Sequence, residues 1–195
     1  GGHTAIVLIH AIGIYELIGQ TVDDAIGEAF DKVAKLLGLP YPGGPRIEQL
    51  ALEGNPHRYP FKAGHVKESP LNFSFSGLKT AVLYTLRDTS SELINPADIA
   101  ASFQQAALGD VVKKTLIAAK RHRVKSIVLG GGVTNNQRLR KLFNEANDEN
   151  FRFIWPSFGL SLDNAAMIAG LGFHRYQLQG KGDGIDLEPM TRIPF

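Results

Sequence analysis

The chain has 195 residues, of which 44% are hydrophobic and 21% charged, with a formal net charge of +2. That length supports one sizeable core or two small ones, and the balance is that of an ordinary globular protein rather than a disordered or fibrous one. It contains no cysteine, which excludes a disulfide framework, thiolate catalysis and a cysteine-ligated zinc site, and fits a reducing, cytoplasmic setting.

The chain opens on Gly1-Gly2-His3-Thr4 and passes straight into the apolar run Ala5–Ile9. Residues 4–9 predict a strand, the turn Ile12-Gly13 follows, and Tyr15–Gly19 predict a second strand in an antiparallel hairpin. A start on two glycines in mid-hairpin predicts a piece of a longer protein. Thr21 is then expected to cap a helix, with Asp24 in capping-box position. Val22, Ala25, Ile26, Ala29, Phe30 and Val33 recur at helical spacing, and Gly38 and Pro40 end the run. Asp23, Asp24, Glu28, Asp31 and Lys32 fall on the opposite face. Tyr41-Pro42-Gly43-Gly44-Pro45 predicts a rigid turn, and Arg46–Leu52 a short helix.

Residues 54–71 are polar and proline-containing and predict a surface excursion. Leu71–Phe75 alternate like a short strand, and Ser76 is expected to cap the next helix. Asn95-Pro96 predicts a helix start with proline at the first helical position. Lys125–Leu129 predict a strand running into Gly130-Gly131-Gly132, then a helix over about Asn135–Ala146. Phe151–Trp155 predict a last strand, and Asp163 is expected to open a final helix. The succession implies an α/β lobe with a mixed sheet and flanking helices. No apolar run reaches the roughly 18 residues of a membrane span, and no signal-peptide pattern is present.

Four places carry candidate chemistry. Gly1 and Gly2 could turn backbone N–H groups toward an anion, or form a plain hairpin turn. The run Ile127–Asn136 takes a buried strand through three glycines into a helix start, which suits a phosphate or a flat purine, or a structural turn. Its spacing matches neither a Walker A loop nor a Rossmann fingerprint. Asp163, in Ser161-Leu162-Asp163-Asn164, reads as a helix cap or a metal-ligating carboxylate. Asp31 reads as part of a solvated face or as a ribose contact.

Their joint order decides. Gly-Gly-His-Thr (1–4), Gly-Gln-Thr-Val-Asp-Asp-Ala-Ile-Gly-Glu-Ala-Phe-Asp-Lys (19–32), Tyr-Pro-Gly-Gly-Pro (41–45), Phe-Ser-Phe-Ser-Gly-Leu-Lys-Thr (73–80), Gly-Gly-Gly-Val-Thr-Asn-Asn (130–136) and Asp-Asn-Ala-Ala-Met-Ile-Ala (163–169) follow one another along the chain. Together they resemble the second half of the TsaD family, the tRNA threonylcarbamoyladenosine synthases once called glycoproteases, in its bacterial and mitochondrial form.

The resemblance covers essentially the whole chain. It implies that residues 1–195 form the C-terminal lobe of an actin-like ATPase (sugar kinase and actin) fold. It also implies transfer of threonylcarbamoyl from threonylcarbamoyl-AMP to N6 of adenosine 37 in tRNAs reading ANN codons. Implied with it are an ATP-like nucleotide site, one divalent metal (iron or zinc), tRNA as substrate, and TsaB-like and TsaE-like partner proteins. By matching position, Gly1, Gly2, Asp31, Gly44 and Asn136 are the implied substrate-binding residues and Asp163 the implied metal ligand; the match assigns no catalytic residue.

Two departures bear on activity. The family's paired metal-binding histidines at i, i+4 have no counterpart among His3, His10, His57, His65, His122 and His174. The serine and strand that precede Gly-Gly in the family are also absent from the sequence, as is a first lobe. The chain alone is therefore expected to be metal-poor, inactive and prone to self-association through an uncovered apolar face.

Other readings remain. A non-catalytic TsaB-like scaffold shares the fold, but would not need Asp31, Asn136 and Asp163. A metalloprotease needs a His-Glu-x-x-His motif, which the chain lacks. A sugar or acyl kinase of the same fold is set aside only by the motif match. The basic residues from Lys113 to Lys141 form either an RNA-binding strip or a set of solvated helix faces, the latter being the simpler expectation.

Overall fold

In the computed structural model, residues 2–157 and 159–188 are described. The predicted hairpin forms from β1 (Ala5–Ala11) and β2 (Ile14–Gln20), paired antiparallel around Gly13. β2 then continues sideways. Thr21 makes a parallel bridge to Phe73, the Phe73 N–H donates to the Gln20 carbonyl, and the Val22 N–H donates to the Phe73 carbonyl. The expected strand at 71–75 is thus reduced to one bridge.

α1 (Ile26–Leu36) buries Ile26, Ala29, Phe30, Val33 and Ala34, the stripe its periodicity predicts. It starts later than expected. The Thr21–Asp24 capping box does not form: the Thr21 hydroxyl donates to the Asp24 carbonyl, and Val22 stays exposed. Instead Thr4, on the strand side, reaches across, and its Oγ1 accepts from the Ile26 N–H at 2.9 Å. A residue 22 positions away in sequence fills the role that local spacing assigned to Thr21. α2 (Gly43–Ala51) in turn starts earlier than expected, because Gly43, Gly44 and Pro45 form its first turn rather than a separate loop.

α3 (Ser76–Asp88) precedes α4 (Pro96–Arg121), a helix of 26 residues and about 39 Å. α4 is capped as predicted, with the Asn95 side chain accepting from the Ala97 N–H at 2.9 Å. Its length makes it the spine of the fold: α2, α3 and α5 (Gln137–Glu145) all lie against it. Phe103 on α4 meets Phe30 of α1 edge to face, ring centroids 5.0 Å apart. Phe143 of α5 likewise meets Phe153 and Trp155 at 5.2 and 5.7 Å. Edge-to-face pairs of this kind add directional packing to area burial.

β3 (Ser126–Val128) and β4 (Arg152–Ile154) pair in parallel, as expected on either side of α5. The single mixed sheet expected from the sequence is absent among the described residues. The antiparallel and the parallel pair form two separate two-stranded sheets. Strand order in sequence does not say which strands share a ladder; here the segment after β2 turns away to meet Phe73 rather than β3. Last comes α6 (Ala165–Gln179), none of whose residues is buried. Among the described residues no helix is long and apolar enough to cross a membrane.

Candidate functional site

The candidate residues fall on three loops that the helices hold together. The first is the junction of α1 with α2. Asp31 is half-buried near the middle of α1, and its Oδ1 accepts from the Gly43 N–H at 2.7 Å. This supplies the start of α2 with a carboxylate acceptor from another helix, since Pro42, its own N-cap, has no side chain that can accept. A Cβ on Gly43 would stand 2.5 Å from Ala34 Cβ and 2.8 Å from Asp31 Cα, so the close approach requires glycine. Gly44 is different: nothing lies within 4 Å of where its Cβ would be. The start of α2 is therefore open at Gly44, the residue next to the one that Asp31 holds.

The second loop is the glycine run after β3. Gly131 takes φ of 89°, a left-handed value that favours glycine, and a 3-10 turn over Gly132–Asn135 follows. Gly130 and Gly131 also face open space. This turn is pinned from several sides. The Thr134 hydroxyl donates to the Gly131 carbonyl at 2.7 Å, and Arg140 Nε donates to the Thr134 carbonyl at 3.0 Å. α1 touches it directly. The Gln137 N–H, at the start of α5, donates to Glu48 Oε1 of α2 at 2.7 Å.

Asn136, an expected substrate contact, is 6% exposed and caps α5: its Oδ1 accepts from the Leu139 N–H at 3.0 Å. Its Nδ2 donates to Gln104 Oε1 of α4 at 2.7 Å. A primary amide has two N–H donors, so one remains beyond the bond to Gln104.

The third loop, Ser161–Asn164, lies against the second. Asn135 Nδ2 donates to Ser161 Oγ at 2.7 Å, and Ser161 is buried. Asp163 does not open the final helix. The cap of α6 is Asn164, whose Oδ1 accepts from the Met167 N–H at 3.1 Å. Asp163 is left exposed with no hydrogen bond or ion pair among the described residues.

The donor set does not amount to a metal site. Among the described residues no three His, Cys, Asp or Glu side chains are grouped to hold an ion. One carboxylate offers an oxygen suited to a hard or borderline cation, but cannot retain it alone. Gly2 is exposed and unobstructed, while Gly1 lies outside the described residues. A separate groove of about 500 Å³ between α4 and α5, lined by Val112, Leu116 and Leu142, includes none of the candidate residues.

Sequence reasoning missed the residues that hold these loops. Asp23 accepts from the Ser74 hydroxyl at 2.6 Å, the Phe75 N–H at 2.8 Å, and the Ser76 hydroxyl and N–H at 2.8 and 3.2 Å. It, and not Ser76, caps α3. Partial burial works to raise its carboxyl, but the hydrogen bonds from Ser74, Phe75 and Ser76 together outweigh that and hold it below the usual aspartate value. Glu48 and Gln104 were missed for the same reason: their partners lie 89 and 32 positions away.

The comparisons agree with the family resemblance of the motifs. The family model described as TsaD, tRNA N6-adenosine threonylcarbamoyltransferase, matches residues 1–170. A tRNA N6-adenosine threonylcarbamoyltransferase of Protochlamydia amoebophila is 65% identical over 204 residues, covering 100% of this chain and 59% of that protein. One of Desulfitobacterium hafniense is 49% identical over 179 residues, covering 90% of this chain and 52% of its own. The chain thus spans a little over half the length of the relatives it matches. Among solved structures, T. kodakarensis HypF superposes with a TM-score of 0.60 at 22% identity, over 78% of this chain and 20% of its own. That likeness speaks to the fold alone, a mixed α/β arrangement. With an ordered set of six motifs, a family model spanning residues 1–170 and a relative 65% identical over the whole chain, this chain belongs to the TsaD family of tRNA N6-adenosine threonylcarbamoyltransferases.

Proposed function

We propose that this chain is the second lobe of an actin-like ATPase-type fold, and that it supplies the nucleotide-facing half of a threonylcarbamoyl transfer site acting on adenosine 37 of tRNA. The observation that carries this reading is the Asp31–Gly43 bond at 2.7 Å beside the open backbone of Gly44. It joins two motifs 12 residues apart, so that the Asp31 carboxylate stands next to backbone that is open at Gly44. A carboxylate oxygen accepts from ribose hydroxyls, and bare backbone admits a purine plane.

The remaining roles follow the same logic. Gly2, together with Gly1 by the motif match, and the turn at Gly130 and Gly131 would supply N–H groups for the phosphate of threonylcarbamoyl-AMP. Asn136 offers its second amide N–H to the same ligand. Asp163 contributes one oxygen to a divalent ion, iron or zinc, whose other ligands lie outside this chain's described residues. Bound there, such an ion would polarise the carbonyl of the transferred group. TsaB-like and TsaE-like proteins are the proposed partners.

The test is a chimera in which this chain replaces the matching segment of the Protochlamydia amoebophila relative. Transfer is read as threonylcarbamoyladenosine in digested tRNA by mass spectrometry. Modified adenosine is expected, falling at least tenfold with Asp31→Ala. A folded chimera that forms none would overturn the reading.

A further inference from the structure

The basic residues from Lys114 to Arg152 separate into two groups once their partners are known. Lys114 is buried and bonded to Asp110 at 2.7 Å and to the Asn72 carbonyl at 2.8 Å. Lys120 holds Asp148 at 2.9 Å and Glu149 at 3.4 Å. Arg138 is bonded to Gln105, Lys141 lies 3.8 Å from Glu145, and Arg140 lies over the Trp155 ring. These cations are used up in holding the fold.

Arg121, Arg123, Lys125 and Arg152 are the second group. All four are exposed, and among the described residues none makes an ion pair or a side-chain hydrogen bond. Topology gathers them. α4 ends at Arg121, Arg123 reverses the chain with φ of 52°, and Lys125 leads into β3. The parallel register then sets Arg152 beside Ser126, with its N–H donating to the Lys125 carbonyl at 3.0 Å.

Helix polarity accounts for only one of them. Arg121 complements the negative end of α4, but Arg123, Lys125 and Arg152 lie beyond it. Asp148 and Glu149, in the turn before β4, are both engaged by Lys120. Four like charges at one pole repel each other, in a chain whose net charge is only +2. The intervening His122 and Val124 are part-buried, so no apolar side chains interleave with the cations as a membrane surface would require.

We infer that this pole is a docking strip for the phosphate backbone of RNA, set at the opposite end of β3 from the glycine turn. Five residues of extended chain separate Lys125 from Gly130, about 17 Å, so one RNA arm can lie across the strip while a neighbouring nucleotide reaches the turn. The choice of RNA as the polyanion rests on the proposed function; the strip itself rests on the unpaired charges.

The test uses the 195-residue chain and an unmodified tRNA transcript, with affinity measured by fluorescence anisotropy between about 50 and 200 mM salt. Each phosphate neutralised contributes a slope of about −0.7 to −0.9 in log K against log salt, so a slope near −3 is expected. Arg121→Ser, Arg123→Ser, Lys125→Ser and Arg152→Ser combined should bring the slope near zero and cost at least tenfold in affinity. If that variant does not fold by circular dichroism, Lys125→Ser and Arg152→Ser singly should each reduce the slope by about one phosphate's share. The paired-lysine control Lys141→Ser should leave it unchanged. An unchanged slope in the strip variants, or an equal loss in the paired-lysine control, would overturn the assignment. So would strip-dependent binding to phosphatidylserine vesicles without any to the transcript. An inactive chimera would sink the proposed reaction without touching this result.

Discussion

Asp31 and Gly43 approach so closely that a single methyl group would part them. Their hydrogen bond is 2.7 Å long, and a Cβ on Gly43 would come within 3.0 Å of the Asp31 carboxylate and 2.8 Å of its Cα. The two nearest atoms in the way are the Ala34 methyl and the Asp31 Cα, neither of which can swing aside. Gly43→Ala should therefore cost about 1–3 kcal/mol, the usual range for overpacking, read as a lowered urea midpoint. Gly44→Ala, with open space at that position, should leave stability within about 0.5 kcal/mol. In the chimera, Gly44→Ala should weaken nucleotide binding even so. Equal destabilisation by the two changes would contradict the packing described.

Asn136 joins two helices, and its loss should be felt without any ligand. Asn136→Ala removes the α5 cap, worth about 1 kcal/mol. It also leaves Gln104 Oε1, in a residue 5% exposed, without its donor, at about 1–3 kcal/mol. Asn136→Ser keeps the cap and loses only the bond to Gln104, so it should fall between wild type and alanine. Thermal unfolding of the three proteins checks the order. A serine variant as unstable as the alanine one would mean that the cap contributes nothing.

The helices were legible because their apolar residues recur at a fixed local period. Phe30 and Val33 could be placed on a buried face from neighbours three and four residues away. The caps were legible only when local, as at Asn95, and not when supplied from afar, as by Thr4 for α1 and Asp23 for α3. Thr21-Val-Asp-Asp offered a capping box in sequence, yet tertiary pairing with Phe73 drew Thr21 into a bridge and freed Asp23 to reach 52 residues along the chain. Sheet partnership failed for a related reason, since strand order does not record which strand edges meet. Of the candidate site, motif order showed which residues belong together. Only geometry separated Asn164, the cap, from Asp163, its unengaged neighbour.

That separation is itself testable. Asn164→Ala should fray α6 and reduce helical ellipticity, because the Met167 N–H loses its acceptor. Asp163→Ala should leave ellipticity unchanged in this chain. In the chimera the order should reverse for metal: Asp163→Ala should lower metal content measured by mass spectrometry, and Asn164→Ala should have the smaller effect. Loss of helix with Asp163→Ala would mean that the carboxylate is structural after all.

Asp23 should make stability fall in acid. Its carboxyl lies below the usual value in the fold, so the folded protein binds fewer protons than the unfolded chain as pH approaches about 3.9, the ordinary aspartate value. Its contribution is present in full above that value and is lost as pH falls through the lower folded value. Asp23→Ala should cost about 1–2 kcal/mol at neutral pH, as for loss of a helix cap. The gap between wild type and variant should then narrow progressively as pH falls below the ordinary aspartate value. Parallel urea midpoints across that range would show that Asp23 contributes no proton-linked stability.

The last prediction concerns the face that the chain leaves uncovered. α6 carries Ile168, Leu171, Phe173 and Leu178, which are 65, 44, 60 and 69% exposed. Its far end reaches the tip of the β1–β2 hairpin, where a Cβ on Gly13 would lie 4.0 Å from Leu178 Cδ1. Ile9, Ile12 and Ile14 of that hairpin are themselves about half exposed. Apolar side chains exposed on this scale associate with whatever apolar surface is available. On its own the chain should therefore self-associate, with sedimentation velocity showing mass rising with concentration. Ile168→Lys with Phe173→Lys should shift it toward monomer. In the chimera, with the remainder of the longer relative present, the same face should be covered, and the wild-type sequence should sediment as a smaller species per chain than the isolated lobe. Monomeric behaviour of the isolated chain at all concentrations would show that α6 covers its own apolar face in solution.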